Sequence, residues 1–232
     1  MTGQQITING PDGSFAGYLA VPAAGRGAGI VVIQEIFGIN GAMRAAADAL
    51  AADGFFALVP DLFWRLEPGV ELTDKTDAEW QRAFDLMRRF DAKAGVGDIQ
   101  TTINHLRALS GCNGKVGAVG YCLGGLLAYL TAARTDSDVS VGYYGVNIQT
   151  MLDEAKTIKK PLMLHIAGKD EYTPPEAQEK IVAGLAANPL VSVYRYPEMN
   201  HAFARPGGKH YDQANADLAN SRSATFFRQY LS

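Results

Sequence analysis

The sequence predicts an α/β fold: a mostly parallel, doubly wound sheet of about eight strands with helices on both faces. Two patterns carry the prediction. Short apolar runs bounded by turn residues alternate along the chain with longer helical stretches, and strand alternating with helix is the signature of a parallel sheet covered on both sides. Most of these runs are rich in Val, Ile, Leu or Tyr and lack a polar face, as strands buried on both faces require. The length of 232 residues, with 47% hydrophobic and 19% charged, fits a single domain over residues 1–232, since α/β domains of roughly 200 to 250 residues are ordinary.

Taken in order, residues 4–8 alternate, Pro11-Asp12-Gly13 supplies turn chemistry, and residues 15–21 alternate again, so the chain opens with an antiparallel pair. Residues 22–29 are a glycine- and alanine-rich surface turn. Buried strands are expected at 29–34, 55–59, 116–119, 139–144, 162–167 and 191–196, each an apolar run closed by turn residues. Helices are expected between them at 42–52, 77–90, 96–109, 123–134, 175–187 and from about 215 to 231. No internal repeat, low-complexity tract or Pro/Ser-rich linker divides the chain.

Charge and cysteine content narrow the function. A formal net charge of -3 without a basic run gathers no phosphates, so neither nucleic acid nor an anionic membrane is an expected partner. The polar start, residues 1–11, lacks the features of a signal peptide, and nowhere do about 18 apolar residues run together, so a cytoplasmic location is expected. Two cysteines, Cys112 and Cys122, are too few for a disulfide framework and are expected as free thiols. No histidine pair has metal-ligand spacing, so no metal is expected, and no cofactor is called for.

The strongest local signal is Gly120-Tyr121-Cys122-Leu123-Gly124, after an expected strand and before an expected helix. A residue forced into so tight a strand-to-helix turn needs small neighbours, and its side chain then stands above the sheet where a substrate reaches it. The helix start directs N–H groups and positive dipole at the sulfur, favouring thiolate. A glycine-rich turn around a buried cysteine fits the same residues. A dinucleotide loop does not, because the spacing is not G-x-G-x-x-G and the turn follows a late strand.

A cysteine nucleophile needs a base and a group to orient that base. Asp170 follows the run at 162–167, and His201 follows the run at 191–196, both at carboxyl ends of expected strands. The order Cys122, Asp170, His201 is the order nucleophile, acid, histidine. Singly, Asp170 also fits a turn or cap and His201 a solvated loop. His165, inside a strand, reads as a core histidine, His105 belongs to an amphipathic helix, and His210 follows a glycine-rich loop. The N–H of Leu123 and, from the loop Gln34-Glu35-Ile36-Phe37-Gly38, the N–H of Ile36 are the candidate oxyanion donors. Glu35 fits two roles, partner of the Cys122 thiol or a carboxylate engaged by backbone or arginine.

These stretches together resemble the dienelactone hydrolases, also called carboxymethylenebutenolidases. The resemblance covers nearly the whole chain and includes Gln34 to Gly38, Pro60-Asp61-Leu62, Val119 to Gly125, Val141-Gly142-Tyr143-Tyr144-Gly145 and Ala202-Phe203-Ala204-Arg205 after His201. It implies an eight-stranded α/β-hydrolase, monomeric, that opens lactone rings of chlorocatechol breakdown intermediates with a Cys-His-Asp triad, here Cys122, His201 and Asp170. It implies that Glu35 contacts the resting thiol and that Arg205 binds a substrate carboxylate. Where the family carries a second carboxylate-binding arginine, this chain has Trp80. Arg82 lies two residues on, about 200° around a helix. Phe84 replaces a tyrosine and Ala202 a serine. Phe37, Trp80, Arg82, Phe84 and Tyr143 are thus the remaining substrate-binding candidates. Trp80, Phe84 and Met87 share one helical face, either core or the wall of a more apolar pocket that prefers another small ester. A redox-active thiol protein and a non-catalytic binding module are the competing classes.

Overall fold

A computed structural model describes residues 3–232 and gives eight strands in the order β1-β2-β4-β3-β5-β6-β7-β8. They are β1 Gln4–Gly10, β2 Gly13–Ala20, β3 Gly27–Ile33, β4 Phe56–Pro60, β5 Cys112–Tyr121, β6 Val139–Tyr143, β7 Leu162–Ala167 and β8 Val191–Tyr196. The helices are α1 Gly41–Ala52, α2 Asp77–Arg89, α3 Ala92–Arg107, α4 Leu123–Arg134, α5 Pro175–Leu185 and α6 Gln213–Leu231. The chain forms two compact units, Met1–Ala118 and Val119–Ser232. Among the described residues no helix is long and apolar enough to cross a membrane.

In Met1–Ala118 the expected opening hairpin is present: β1 pairs antiparallel with β2, and Gly10 faces Gly13 across a two-residue turn. β2 continues antiparallel onto β4, and β4 runs parallel to β3. Every residue of β4 is buried, as are the last six of β3, which is why these strands read as unbroken apolar runs. The helices start where side chains satisfy their orphan N–H groups. Asn40 Oδ1 accepts from the N–H of Met43, Thr76 Oγ1 from that of Glu79, and Asp91 Oδ1 from those of Lys93 and Ala94. Glu79 answers by accepting from Thr73 and Thr76, contacts that hold its carboxyl below the usual range.

A polar staple pins this unit's first turn to α3. Buried Asp98 accepts from the indole N–H of Trp64 at 2.9 Å and pairs with Arg65, whose guanidinium lies 4.3 Å over the Trp64 ring and also pairs with Asp12. Trp64 in turn stacks on Phe15 of β2 at 5.6 Å. Asp98→Ala strands a part-buried indole N–H and removes the partner of a guanidinium that keeps access to water, so we expect a loss of about 1 to 3 kcal/mol in unfolding free energy. Denaturant titration measures it, and a loss within 0.5 kcal/mol, about the range for surface changes, rules the staple out as a stabilising element.

In Val119–Ser232, β6, β7 and β8 are parallel. β6 and β7 are wholly buried, and ten of the twelve residues of α4 are buried too. Two short 3-10 helices, Ile148–Thr150 and Leu152–Thr157, cover the connection from β6 to β7. α6 docks through a buried polar network. Tyr143 donates to or accepts from Ser223 at 2.7 Å and donates to Asn220 at 3.0 Å, and His165 bridges Ser223 at 2.9 Å and Tyr196 at 2.8 Å. Burial, with Arg222 nearby, pushes the His165 imidazole down to about 3, so it stays neutral in the core, as its place inside a strand implied.

Candidate active site

Cys122 stands between β5 and α4 with φ 58° and ψ -115°, a backbone conformation that L-residues avoid. The surrounding chain imposes it. Its N–H donates to Tyr143 O at 3.1 Å, and its carbonyl accepts from Gly125 at 2.9 Å and Leu126 at 3.3 Å. The glycines are steric requirements: a Cβ on Gly120 would lie 1.9 Å from Gly124 O, and one on Gly125 2.5 Å from Tyr143 O. Leu123 opens α4, so its N–H has no intrahelical acceptor. The strain has a measurable signature. Glycine at 122 should outlast alanine by about 1 to 2 kcal/mol, because only glycine accepts this φ without cost. Alanine ordinarily leads by roughly 0.5 to 1 kcal/mol in regular structure. Thermal unfolding of Cys122→Gly and Cys122→Ala checks the order, and alanine ahead of glycine refutes the strain.

Asp170 and His201 reach the same end of the sheet on the loops after β7 and β8. Gly168 N donates to Tyr196 O and Lys169 N to Met199 O, both at 2.8 Å, tying the two loops together. The approach is close enough that a Cβ on Gly168 would meet Pro197 O at 2.5 Å. Asp170, 3% exposed, accepts at Oδ1 from Tyr172 N at 2.9 Å and at Oδ2 from His201 Nδ1 at 2.8 Å. That fixes Nδ1 as the carboxylate-facing nitrogen and leaves Nε2 for the sulfur. Burial opposes charge on the imidazole, yet the Cys122 charge and the hydrogen bonds to Asp170 and Cys122 prevail and push His201 up to about 10. The three residues in nucleophile, acid and base positions are therefore joined within Val119–Ser232. An imidazole oriented by a carboxylate and facing the sulfur can take a proton from one reacting group and return it to another.

The structure also places residues that spacing did not reveal. The His201 ring is met edge-on by Tyr144 at 5.1 Å and Tyr172 at 4.8 Å, at interplanar angles of 62° and 76°. Tyr143, expected at the substrate, directs its hydroxyl into the α6 network, and the next residue, Tyr144, leaves the strand at φ 38° and sets its ring against His201. The signal was available as the last tyrosine of an apolar run at a strand's carboxyl end. Tyr172, two residues past Asp170, had none. Arg205 is half-buried and close enough to Tyr172 to act on its hydroxyl through charge. The Ala202 φ of 61° marks the sharp turn that follows His201.

The other candidates belong to Met1–Ala118. Glu35, Ile36 and Phe37 are buried just beyond β3. Gln34 braces this loop, accepting from Leu62 N at 3.0 Å and donating to Glu35 O at 3.4 Å. Gly38 closes the loop at φ 75°, where a Cβ would lie 1.9 Å from Val70 O. Phe37, Trp80 and Phe84 form one aromatic ladder, with centroids 5.1 Å apart edge-on and 5.5 Å apart stacked. Trp80 Nε1 donates to Asp74 O at 3.1 Å. Arg82 points elsewhere and pairs with Glu67.

A model of the Dienelactone hydrolase family matches residues 15–231. A protein of Azospirillum brasilense, provisionally named a carboxymethylenebutenolidase, is 49% identical over 224 residues, 96% of this chain and 96% of the relative. The Carboxymethylenebutenolidase of Pseudomonas putida is 40% identical over 227 residues, 97% of this chain and 96% of the relative. Among solved structures, a provisionally named dienelactone hydrolase from Klebsiella pneumoniae superposes with a TM-score of 0.86 at 24% identity, covering 98% of each chain. That last similarity is one of fold: an eight-stranded α/β-hydrolase sheet.

Proposed function

The chain belongs to the dienelactone hydrolase family and is a carboxylic ester hydrolase, and from that premise we propose that it opens dienelactone-type enol lactones of aromatic-compound breakdown through Cys122, His201 and Asp170. The observation that supports this most is the 2.8 Å bond from His201 to Asp170, with Cys122 hydrogen-bonded to the same imidazole. The Cys122 thiolate attacks the lactone carbonyl, and the N–H of Leu123 holds the developing oxyanion. The ring C–O bond breaks, the enolate leaves with the proton of His201, and a thioester remains on Cys122. His201, held by Asp170, then takes a proton from water, whose oxygen attacks the thioester and frees the carboxylic acid and the thiolate. Ile36 as second oxyanion donor, from the sequence of its loop, and Glu35 as partner of the resting thiol, from the family resemblance, are part of this proposal. We further read the protein as one cytoplasmic, monomeric domain that needs neither metal nor organic cofactor.

A thiolate is a better leaving group than an alkoxide, so the tetrahedral intermediate collapses back to reactant unless the substrate's own leaving group is good. Enol lactones and enol esters satisfy that condition, and amides do not.

The aromatic ladder of Phe37, Trp80 and Phe84 supports a second reading, in which the preferred ester is more apolar and lacks a second carboxylate. Turnover of cis- and trans-dienelactone beside simple aryl esters separates the two. On the first reading the wild type opens dienelactone, and Trp80→Arg raises kcat/KM for it by about tenfold through one added charge-assisted contact, worth roughly 1.5 kcal/mol. Fast aryl-ester turnover with no dienelactone opening by either protein replaces the first reading with the second.

A further inference from the structure

We propose that Tyr144 and Tyr172 are positioning residues that clamp the His201 imidazole from two sides and keep its nitrogens aligned with Asp170 and the Cys122 sulfur. The inference rests on the reading of His201 as the catalytic base. A histidine ring between two partners can swing about its Cβ–Cγ bond unless its faces and edges are packed, and a displacement of about 1 Å costs on the order of a hundredfold in rate. The two centroid distances, 5.1 and 4.8 Å, with interplanar angles of 62° and 76°, leave the ring little room to rotate. Tyr144 is 2% exposed, and its N–H donates to His165 O at 2.7 Å, so that wall is rigid. Tyr172 is locked at its backbone, where its N–H donates to the same carboxylate that orients the imidazole. The residue is 37% exposed, one of few large apolar groups left at the surface among the described residues. Packing needs alone do not call for a ring there.

Several groups of Val119–Ser232 face or influence this imidazole. Cys122 approaches from the turn before α4, Tyr144 from the residue just after β6, and Asp170 and Tyr172 from the loop after β7. Glu171 and Arg205 act on the Tyr172 hydroxyl, and His210 Nδ1 lies 3.3 Å from His201 O. Burial, then Glu171, Cys122 and Asp170, keep the Tyr172 phenol protonated against Arg205, so it presents a neutral ring to the histidine.

The test reads the imidazole directly by NMR. The chain has four histidines, so the His201 signal is assigned by one substitution. We expect His201 in Tyr172→Ala to lose its proton about one pH unit below wild type, because a loosened ring holds its two partners less well. Tyr172→Phe, which restores the ring without the hydroxyl, should return the titration to the wild-type position. On the ester substrate, kcat of Tyr172→Ala should fall about tenfold with KM nearly constant. A wild-type titration in Tyr172→Ala together with kcat within twofold overturns the clamp. If the wild type turns over no ester, the proposed function fails, and the titration still decides the clamp by itself.

Discussion

Cys122→Ala should abolish ester hydrolysis, lowering kcat by about 10⁴- to 10⁶-fold, the scale on which loss of a covalent nucleophile acts. The chain should still fold. Cys122 is 8% exposed, and its sulfur adds little volume beyond the Cβ that alanine keeps. The turn is held by backbone bonds, to the Tyr143 carbonyl and from the N–H groups of Gly125 and Leu126, that the substitution leaves in place. What disappears is the atom that forms the thioester, while Leu123 N–H and the His201–Asp170 pair persist and can still polarise a bound ester weakly. Circular dichroism establishes the fold, and steady-state kinetics on an aryl ester measures the loss. Turnover within tenfold of wild type sinks Cys122 as the nucleophile, and with it the covalent route. Cys112 serves as the internal control. It lies on β5 and is half-buried, so Cys112→Ala should leave kcat near its starting value.

The parts of the fold legible in the sequence are those where one local rule dominates. The runs at 162–167 and 191–196 became β7 and β8 without change of bounds. β5 began four residues earlier than expected, at Cys112, because its first four residues are not buried and carry no apolar run. α3 began at Ala92 and not at residue 96, since Gly95 and Gly97 disguise a helix that Asp91 caps. Gly95 is there for contact: a Cβ would lie 2.3 Å from the Phe90 ring. The strand order, with β4 between β2 and β3, is set by pairing across distant segments and leaves no local trace. The same division holds for the site. The grouping of Cys122, Asp170 and His201 at one end of the strands was legible because a sharp turn and two strand ends mark them. Tyr144 and Tyr172 were not, because a ring packed against a histidine has no spacing rule. Trp80 and Phe84 were legible as one helical face, whereas the edge-on contact of Phe37 with Trp80 joins distant segments and leaves no local trace.

Asp170→Asn should lower kcat by about 10³- to 10⁴-fold while leaving the side-chain volume unchanged, since an amide can present its N–H₂ to His201 Nδ1 and select the wrong tautomer. The change should also appear in the pH dependence of stability. His201 is pushed from 6.5 to about 10 in the folded state, against burial and in favour of the Cys122 charge and the Asp170 and Cys122 bonds. A group whose folded value lies above its unfolded one contributes stability that is complete below about pH 6.5 and disappears as pH rises through about 10. Removing the Asp170 carboxylate lowers the folded value, so the variant should be less stable than wild type near pH 6. Each unit by which the folded value falls costs about 1.4 kcal/mol there. Toward pH 10 the imidazole is losing its proton in both proteins and this contribution to the gap closes. Urea titrations of the two proteins at pH 6 and pH 10 measure both ends, and a gap as wide at pH 10 as at pH 6 rules out His201 as its source. The kinetic counterpart has the same sign. With the carboxylate gone, the alkaline limb of kcat/KM should move to lower pH, because the imidazolium that protonates the departing enolate loses its proton sooner.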